Sequence, residues 1–434
     1  MGFQQGLSGL NAAAKNLDVI GNNVANSGTV GFKQSFAQFS DMYAASLSGS
    51  GSLQIGIGTK VANVVQQFTQ GNVTNTTNPM DTAISGPGFF RMVDAGGAIT
   101  YSRNGQFQLD KNGFLVNNQG NQVTGYMPVN GAIVQAQLQP LQFATADLTP
   151  VMSSNLTVGL NLDSRTALPV NTAFNPVDPA SYNSSTSLSV YDSLGGSHVA
   201  TLYFQRQSDG AVPPAATNNW NAYLTLDGGM IPATVAPAVA TPLTTLTFNP
   251  LGKLTAPADP VTGAIGAVTS AQLFPTPVPP AQSTVDTTQV LNFDFGQSTQ
   301  YGGNFGVNSL SQDGYASGRL SGFTTSSDGV ILGRYTNGQS RPLGQIVLAN
   351  FTSPQGLQPL GNNAWAETSA SGQPLPGVPG SSSLGLLQSS AVEDSNVDLT
   401  AELVSMITAQ RVYQANAQTI KAQDTILQTI VNLR

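Results

Sequence analysis

Apolar residues recur at heptad spacing at both ends of the chain. Near the end they fall at Leu399, Met406, Tyr413, Ile420 and Leu427, flanked by a second row at Leu403, Ala417 and Val431. The stretch 395–434 contains no Pro and no Gly. This pattern predicts one amphipathic helix with coiled-coil character, about 55 Å long at 1.5 Å per residue. Ser395 followed by Asp398 reads as a capping box, with Asp replacing the usual Glu. Glu393, Asp394, Asp398 and Glu402 crowd the start, where the helix dipole favours acids. The first residues repeat the geometry: Phe3, Leu10, Leu17 and Val24 form one row, Leu7, Ala14 and Gly21 another. Helices of this kind are marginal alone. The two stripes therefore predict that the chain ends pack together and that their apolar rows also meet neighbouring molecules.

Between the ends the period changes. Residues 1–33 read as a helix and turn, and 34–71 as a Ser/Gly/Ala-rich linker in which Ile55, Ile57, Val61, Val64 and Phe68 begin strand-like patterning. From 72 to 144, short apolar segments alternate with turn signals such as Asn104-Gly105 and Asn112-Gly113, which mark hairpins because both turn positions favour positive φ. From 145 to 284, Pro, Ala and Thr rise, with proline pairs at 213–214 and 279–280. Strand candidates there are Ser187–Tyr191, Val199–Gln205, Trp220–Leu226 and Leu243–Phe248. The earlier style returns over 285–367, a Gly/Pro/Ser-rich connector occupies 368–394, and the helix of 395–434 closes the chain. The expected fold is mainly β with α-helical termini. Paired terminal helices form a coiled-coil-like domain, 72–144 and 285–367 a discontinuous inner β domain, and 145–284 an inserted outer β domain.

Composition narrows the function. Charged residues make up 9% of the 434 positions, far below the usual quarter. Low charge removes repulsion between copies and suits a polymer. The net charge of -7 and a pI near 4.5 argue against nucleic-acid binding. No Cys is present, so disulfides and thiolate metal sites are excluded. The lone histidine, His198, follows a turn and reads as a surface residue. One His without Cys gives neither a Cys/His dyad nor a Cys/His metal site, and there is no G-x-S-x-G elbow or P-loop. The sequence thus points to no enzyme, no catalytic residue, no cofactor and no metal. It starts without the basic and continuous apolar regions of a secretory signal, and no apolar run reaches the ~18 residues of a membrane span.

Three segments resemble one family, the bacterial flagellar axial proteins of rod and hook. The first is NNVANSGTVGFK, with Ala25, Asn26, Thr29, Gly31, Phe32 and Lys33 on its signature positions and Val30 where Pro is common. The second is AISGPGFFRMVDAGGAITYSRNGQFQLDKNGFLV at 83–116. The third, EDSNVDLTAELVSMITAQRVYQANAQTIKAQDTIL, carries Ser395, Asn396, Val397 and Asp398. The length and the large middle insert favour the hook branch over the distal rod branch. The resemblance implies subunits of a curved hollow tube, a universal joint passing motor torque to the filament, with paired terminal helices lining its channel. It implies as partners the chain itself, the rod, hook-cap and hook–filament junction proteins and the type III export apparatus. It also implies an extracellular place on the flagellum, reached without a cleaved signal. The polymer contacts are then expected on Phe3, Leu7, Leu10, Leu17, Val24, Leu399, Leu403, Met406, Tyr413, Ile420, Leu427 and Val431. The rival from another class is a secreted adhesin or glycan-binding β protein, with Trp220 and neighbouring tyrosines as an exposed platform.

Overall fold

The computed structural model describes residues 2–42, 56–143, 146–211, 216–232, 240–258, 264–274, 285–381 and 383–432, with side chains to 429 at the last helix. The proline pairs at 213–214 and 279–280, Ile55 and the boundary at 144–145 lie outside the described residues, as do the Val431 side chain and Arg434. The chain is mainly β with one α-helix near each end: α1, Gly2–Ala25, and α2, Leu399–Asn432. Two compact units are present. One comprises Met1–Thr145, Ser321–Arg334 and Ser340–Arg434, and is named the inner unit after the expected inner β domain; the other, Ala146–Leu320 with Tyr335–Gln339, is named the outer unit after the expected insert.

In the inner unit the expected linker 34–71 carries an antiparallel hairpin, its second strand falling on the strand-like patterning at Val61 and Val64. Strand β1, Ser35–Met42, pairs with β2, Gly58–Gln66, in the register Ser35 to Gln66, with a bulge between Gln38 and Phe39. Pairing of the two strands satisfies backbone groups that α1 partly shields from water. The main sheet draws strands from both flanks of the outer unit. Gln345 pairs with Tyr126, Leu348 with Phe90 and Trp365 with Tyr101. Its core holds Phe90, Met92, Leu141 and Ile346 on one side and an edge-to-face cluster of Phe68, Phe89, Phe351 and Trp365 on the other. The expected connector 368–394 also carries strands: Leu386–Ser389 pairs with Thr82–Ser85, and Ala391–Glu393 with Val73–Asn75. Propensity hides these strands because Gly, Pro and Ser surround them. Their pairing partners, not their own side chains, make them β.

The outer unit extends past 284, where the sequence suggested it would end, to Leu320. The reason is a sheet whose strands lie on both sides of that position. Asn155–Asn161 pairs antiparallel with Gly306–Gln312 and parallel with Asn292–Asp294. A second, antiparallel sheet contains Ser184–Tyr191, Ser197–Ser208, Ala216–Leu226 and Thr244–Phe248. These contain or nearly coincide with the four strand candidates read from the sequence. The core between the sheets holds Leu160, Phe204, Trp220, Phe293 and Phe295. Trp220 is 1% exposed, so it cannot serve as the exposed platform of the glycan-binding alternative.

Candidate assembly surface

The two sequence motifs meet inside the inner unit. Gly31 adopts φ +72, and a Cβ there would sit 2.8 Å from the Asn104 backbone nitrogen, so only glycine fits this turn. The turn presents Lys33 to Glu393, and both side chains are fully buried. Lys33 Nζ donates to Glu393 Oε1 at 2.5 Å and to the Thr69 carbonyl at 2.7 Å. The other Glu393 oxygen accepts from Arg103 at 3.3 Å, and Oε1 also accepts from the Gly71 backbone N–H at 3.0 Å. The Arg103 guanidinium lies 5.5 Å over the Phe89 ring. Burial pulls the Lys33 ammonium below its ordinary range against the attraction of Glu393, and burial likewise lowers Arg103. Glu393 therefore anchors a strand end and two cations. It is not an acid placed for the helix dipole, as its position in the sequence suggested.

Asn396 completes the clasp. Its Oδ1 accepts from the Gln34 N–H at 2.7 Å, and its Nδ2 donates to the Gln67 carbonyl and to Thr69 Oγ1, both at 2.9 Å. Of the other motif residues, Asn26 and Thr29 bond each other within the turn, Phe32 is half-buried, and Ala25 is the exposed last residue of α1. The expected capping box is not formed. Asp398 is the cap, its carboxylate accepting from the Thr400 and Ala401 N–H groups. Ser395 Oγ accepts from the Val397 N–H instead, so the helix starts at Leu399 rather than at Ser395.

The terminal helices pack antiparallel, and of the expected rows Ile420 lies in the seam. A Cβ on Gly6 would lie 3.0 Å from Ile420, and one on Gly9 2.8 Å from the Asn416 side chain. At the other end Asn23 Nδ2 donates to Glu402 Oε1 at 3.2 Å, and Gln34 Nε2 reaches the same oxygen. The seam is thus made by Gly6, Gly9, Ile420 and Asn416 with the buried pair Asn23 and Glu402. Ala13 and Ala409 are buried at heptad spacing from these. Small residues let the backbones approach, which larger apolar side chains would prevent. Sequence reasoning missed Asn23 and Glu402. The available signal was a carboxylate at heptad spacing from Ala409 and Asn416, on the face that packs.

Apart from Ile420, the described residues of the expected rows are exposed or half-buried. Phe3, Leu7, Leu399, Leu403, Tyr413 and Leu427 are exposed, Leu403 by 44% and Leu427 by 54%. Leu10, Leu17, Val24 and Met406 are half-buried, and Ile420 joins the seam. Val404, Ile407, Val412 and Ile426 add exposed apolar surface outside those rows. Between α1, α2 and the hairpin lies an open groove of about 720 Å³, lined by Ala12, Ala13, Ile20, Phe36, Phe39 and Val412 among others. Exposed apolar surface of this extent is the physical character that proteins use to bind other molecules.

Comparison with known proteins finds relatives along the whole chain. Four family profiles match in chain order. They are flagella basal body rod protein over residues 3–33, flagellar hook protein FlgE/F/G D1 domain over 83–152, flagellar basal body protein FlaE D2 domain over 161–315, and flagellar basal body rod FlgEFG protein C-terminal over 388–433. The flagellar hook protein FlgE of Salmonella typhimurium is 44% identical over 443 residues, with all of both chains covered. That of Escherichia coli K12 is 43% identical over 441 residues, again with full coverage. That of Borreliella burgdorferi is 32% identical over 453 residues, covering 99% of this chain and 98% of its own. The crystal structure of Helicobacter pylori flagellar hook protein FlgE2 shares the fold at a TM-score of 0.50 and 14% identity, covering 74% of this chain and all of that one. Matched along its whole length by these relatives and by profiles at both motif-bearing ends, the chain belongs to the flagellar hook protein family.

Proposed function

We propose that the chain is a structural subunit of the flagellar hook, and that its copies polymerise through their terminal helices into a curved hollow tube that bends while transmitting torque. The observation that carries this reading is the choice of seam. The helices of one chain meet through Ile420 together with small and polar residues, which leaves most of the large apolar side chains of α2 uncovered. Burying a Leu or Ile is worth about 1.5–3 kcal/mol, so a set of such residues on each copy favours assembly that becomes steeply concentration-dependent. Contacts of this kind, made head to tail without closing, generate a helical filament. The outer unit, poor in charged residues, supplies weak interchangeable contacts suited to bending. Rod, hook-cap and hook–filament junction proteins are the neighbours expected at the tube's ends, and the flagellar type III apparatus is the expected export route.

Electron microscopy of the full chain beside a chain lacking 399–434, which keeps the Asn396 clasp and Asp398, tests the proposal. Curved tubes from the full chain alone are expected. Tubes from both, or straight rods from the full chain, would overturn it.

A further inference from the structure

The sole histidine is not a free surface group. His198 opens the strand Ser197–Ser208 in the outer unit, with its side chain 24% exposed. Its Nδ1 lies 2.7 Å from Asp227 Oδ2 and its Nε2 lies 3.3 Å from Asp192 Oδ2. A neutral imidazole has one N–H and can donate to only one of these carboxylates, whereas the imidazolium donates to both. The carboxylates are themselves fixed. Asp192 Oδ1 accepts from the Leu194 N–H at 2.9 Å and the Gly196 N–H at 2.7 Å, closing the turn 192–196. Asp227 Oδ1 accepts from the Val199 N–H at 2.8 Å beside the turn at 227–228. One ring therefore ties two separate turns together. Val190 lies opposite it on the neighbouring strand, and the Phe274 ring lies 5.0 Å away. Asp192 and Asp227 are the charged groups that face the ring from these elements among the described residues.

We propose that His198 is a protonated clasp between the turns 192–196 and 227–228, and that loss of its proton releases them, so this end of the outer unit loosens as pH rises. Burial pulls the imidazole pKa down, but the hydrogen bonds and charges of Asp227 and Asp192 outweigh it, and the balance stands above the ordinary 6.5. Burial raises both aspartates, yet backbone N–H groups and His198 hold them below 3.8. A raised histidine pKa gives stabilisation that is complete below pH 6.5 and lost as pH climbs through the folded-state value. Depressed aspartates give stabilisation present above pH 3.8 and lost as pH falls. The clasp is therefore tightest between those two limits.

The test uses the full chain with ring-labelled histidine, which yields one residue's NMR signals. Both ring nitrogens are expected to be protonated at pH 6.5, with a midpoint above it, and Asp227→Asn is expected to lower that midpoint. Each pH unit of the midpoint's rise corresponds to about tenfold in clasp closure. Hydrogen exchange at Leu194, Gly196 and Val199, corrected for intrinsic rates, should accelerate above the midpoint in the wild type. In His198→Gln it should be fast at every pH. A ring titrating at or below 6.5, or exchange in the glutamine variant that follows the wild-type profile, would overturn the clasp.

Discussion

Glu393 carries more of the inner unit's organisation than its strand-end position suggests. It is one carboxylate facing two buried cations, Lys33 and Arg103. Lys33 stands 360 positions away in sequence. Desolvating charges is expensive, and the pair is tolerated because every Glu393 oxygen is bonded. Removing the carboxylate leaves two uncompensated buried charges, which costs about 3–5 kcal/mol. Glu393→Gln is therefore expected to lower the inner unit's stability by that order in chemical denaturation. Lys15→Ala, which breaks a solvent-exposed pair with Asp18, is expected to leave it unchanged. Equal effects from the two variants would show that the buried cluster is not what holds the ends together.

Each terminal helix has two faces with opposite requirements. The seam face needs small residues, because Gly6 and Gly9 leave no room for a side chain against Ile420 and Asn416. Gly9→Leu is expected to push α1 from α2 and reduce stability by about 1–3 kcal/mol, the usual range for overpacking, as thermal melting followed by far-UV circular dichroism would show. The outward face has no such role within one chain. Leu403→Asp and Leu427→Asp replace exposed side chains and are expected to leave the melting profile intact while abolishing tube formation in electron microscopy. Normal tubes from either variant would move the cohesive surface elsewhere, with the groove beside Phe36 and Phe39 as the first alternative.

At the scale of the molecule, the boundary between the units decides what can be removed. A deletion of 146–284 would take Asn155–Asn161 and leave Gly306–Gln312 and Asn292–Asp294 without their shared partner. Unpaired edges of that kind invite aggregation. Deletion of 146–318 instead removes the sheet whole. The longer deletion is expected to yield soluble protein that still assembles with altered curvature, and the shorter one insoluble protein. Size-exclusion chromatography followed by microscopy distinguishes them. Loss of all polymer after the longer deletion would place cohesion in the outer unit.

Local pattern was enough for the features that local pattern controls. Heptad spacing marked α1 and α2, strand candidates were legible around Tyr191, Phe204, Trp220 and Phe248, and turn residues marked a mainly β middle. The segments carrying Gly31 to Lys33 and Ser395 to Asp398 pointed to the family before any geometry was available. Three things depended on the folded chain. The face on which the helices meet was settled by the close approach that Gly6 and Gly9 allow, although the larger side chains gave the more visible stripe. The strands in 368–394 exist because distant segments offer their backbone groups a partner, which weak intrinsic propensity cannot announce, whereas those in 34–71 pair with each other and the second was foreshadowed at Val61 and Val64. Lys33, Arg103 and Glu393 were readable one by one as a motif lysine, an arginine beside a turn and an acid near a helix start. Their common burial follows from chain segments far apart in sequence converging on one desolvated point, where a charge must find its partner or the fold does not close.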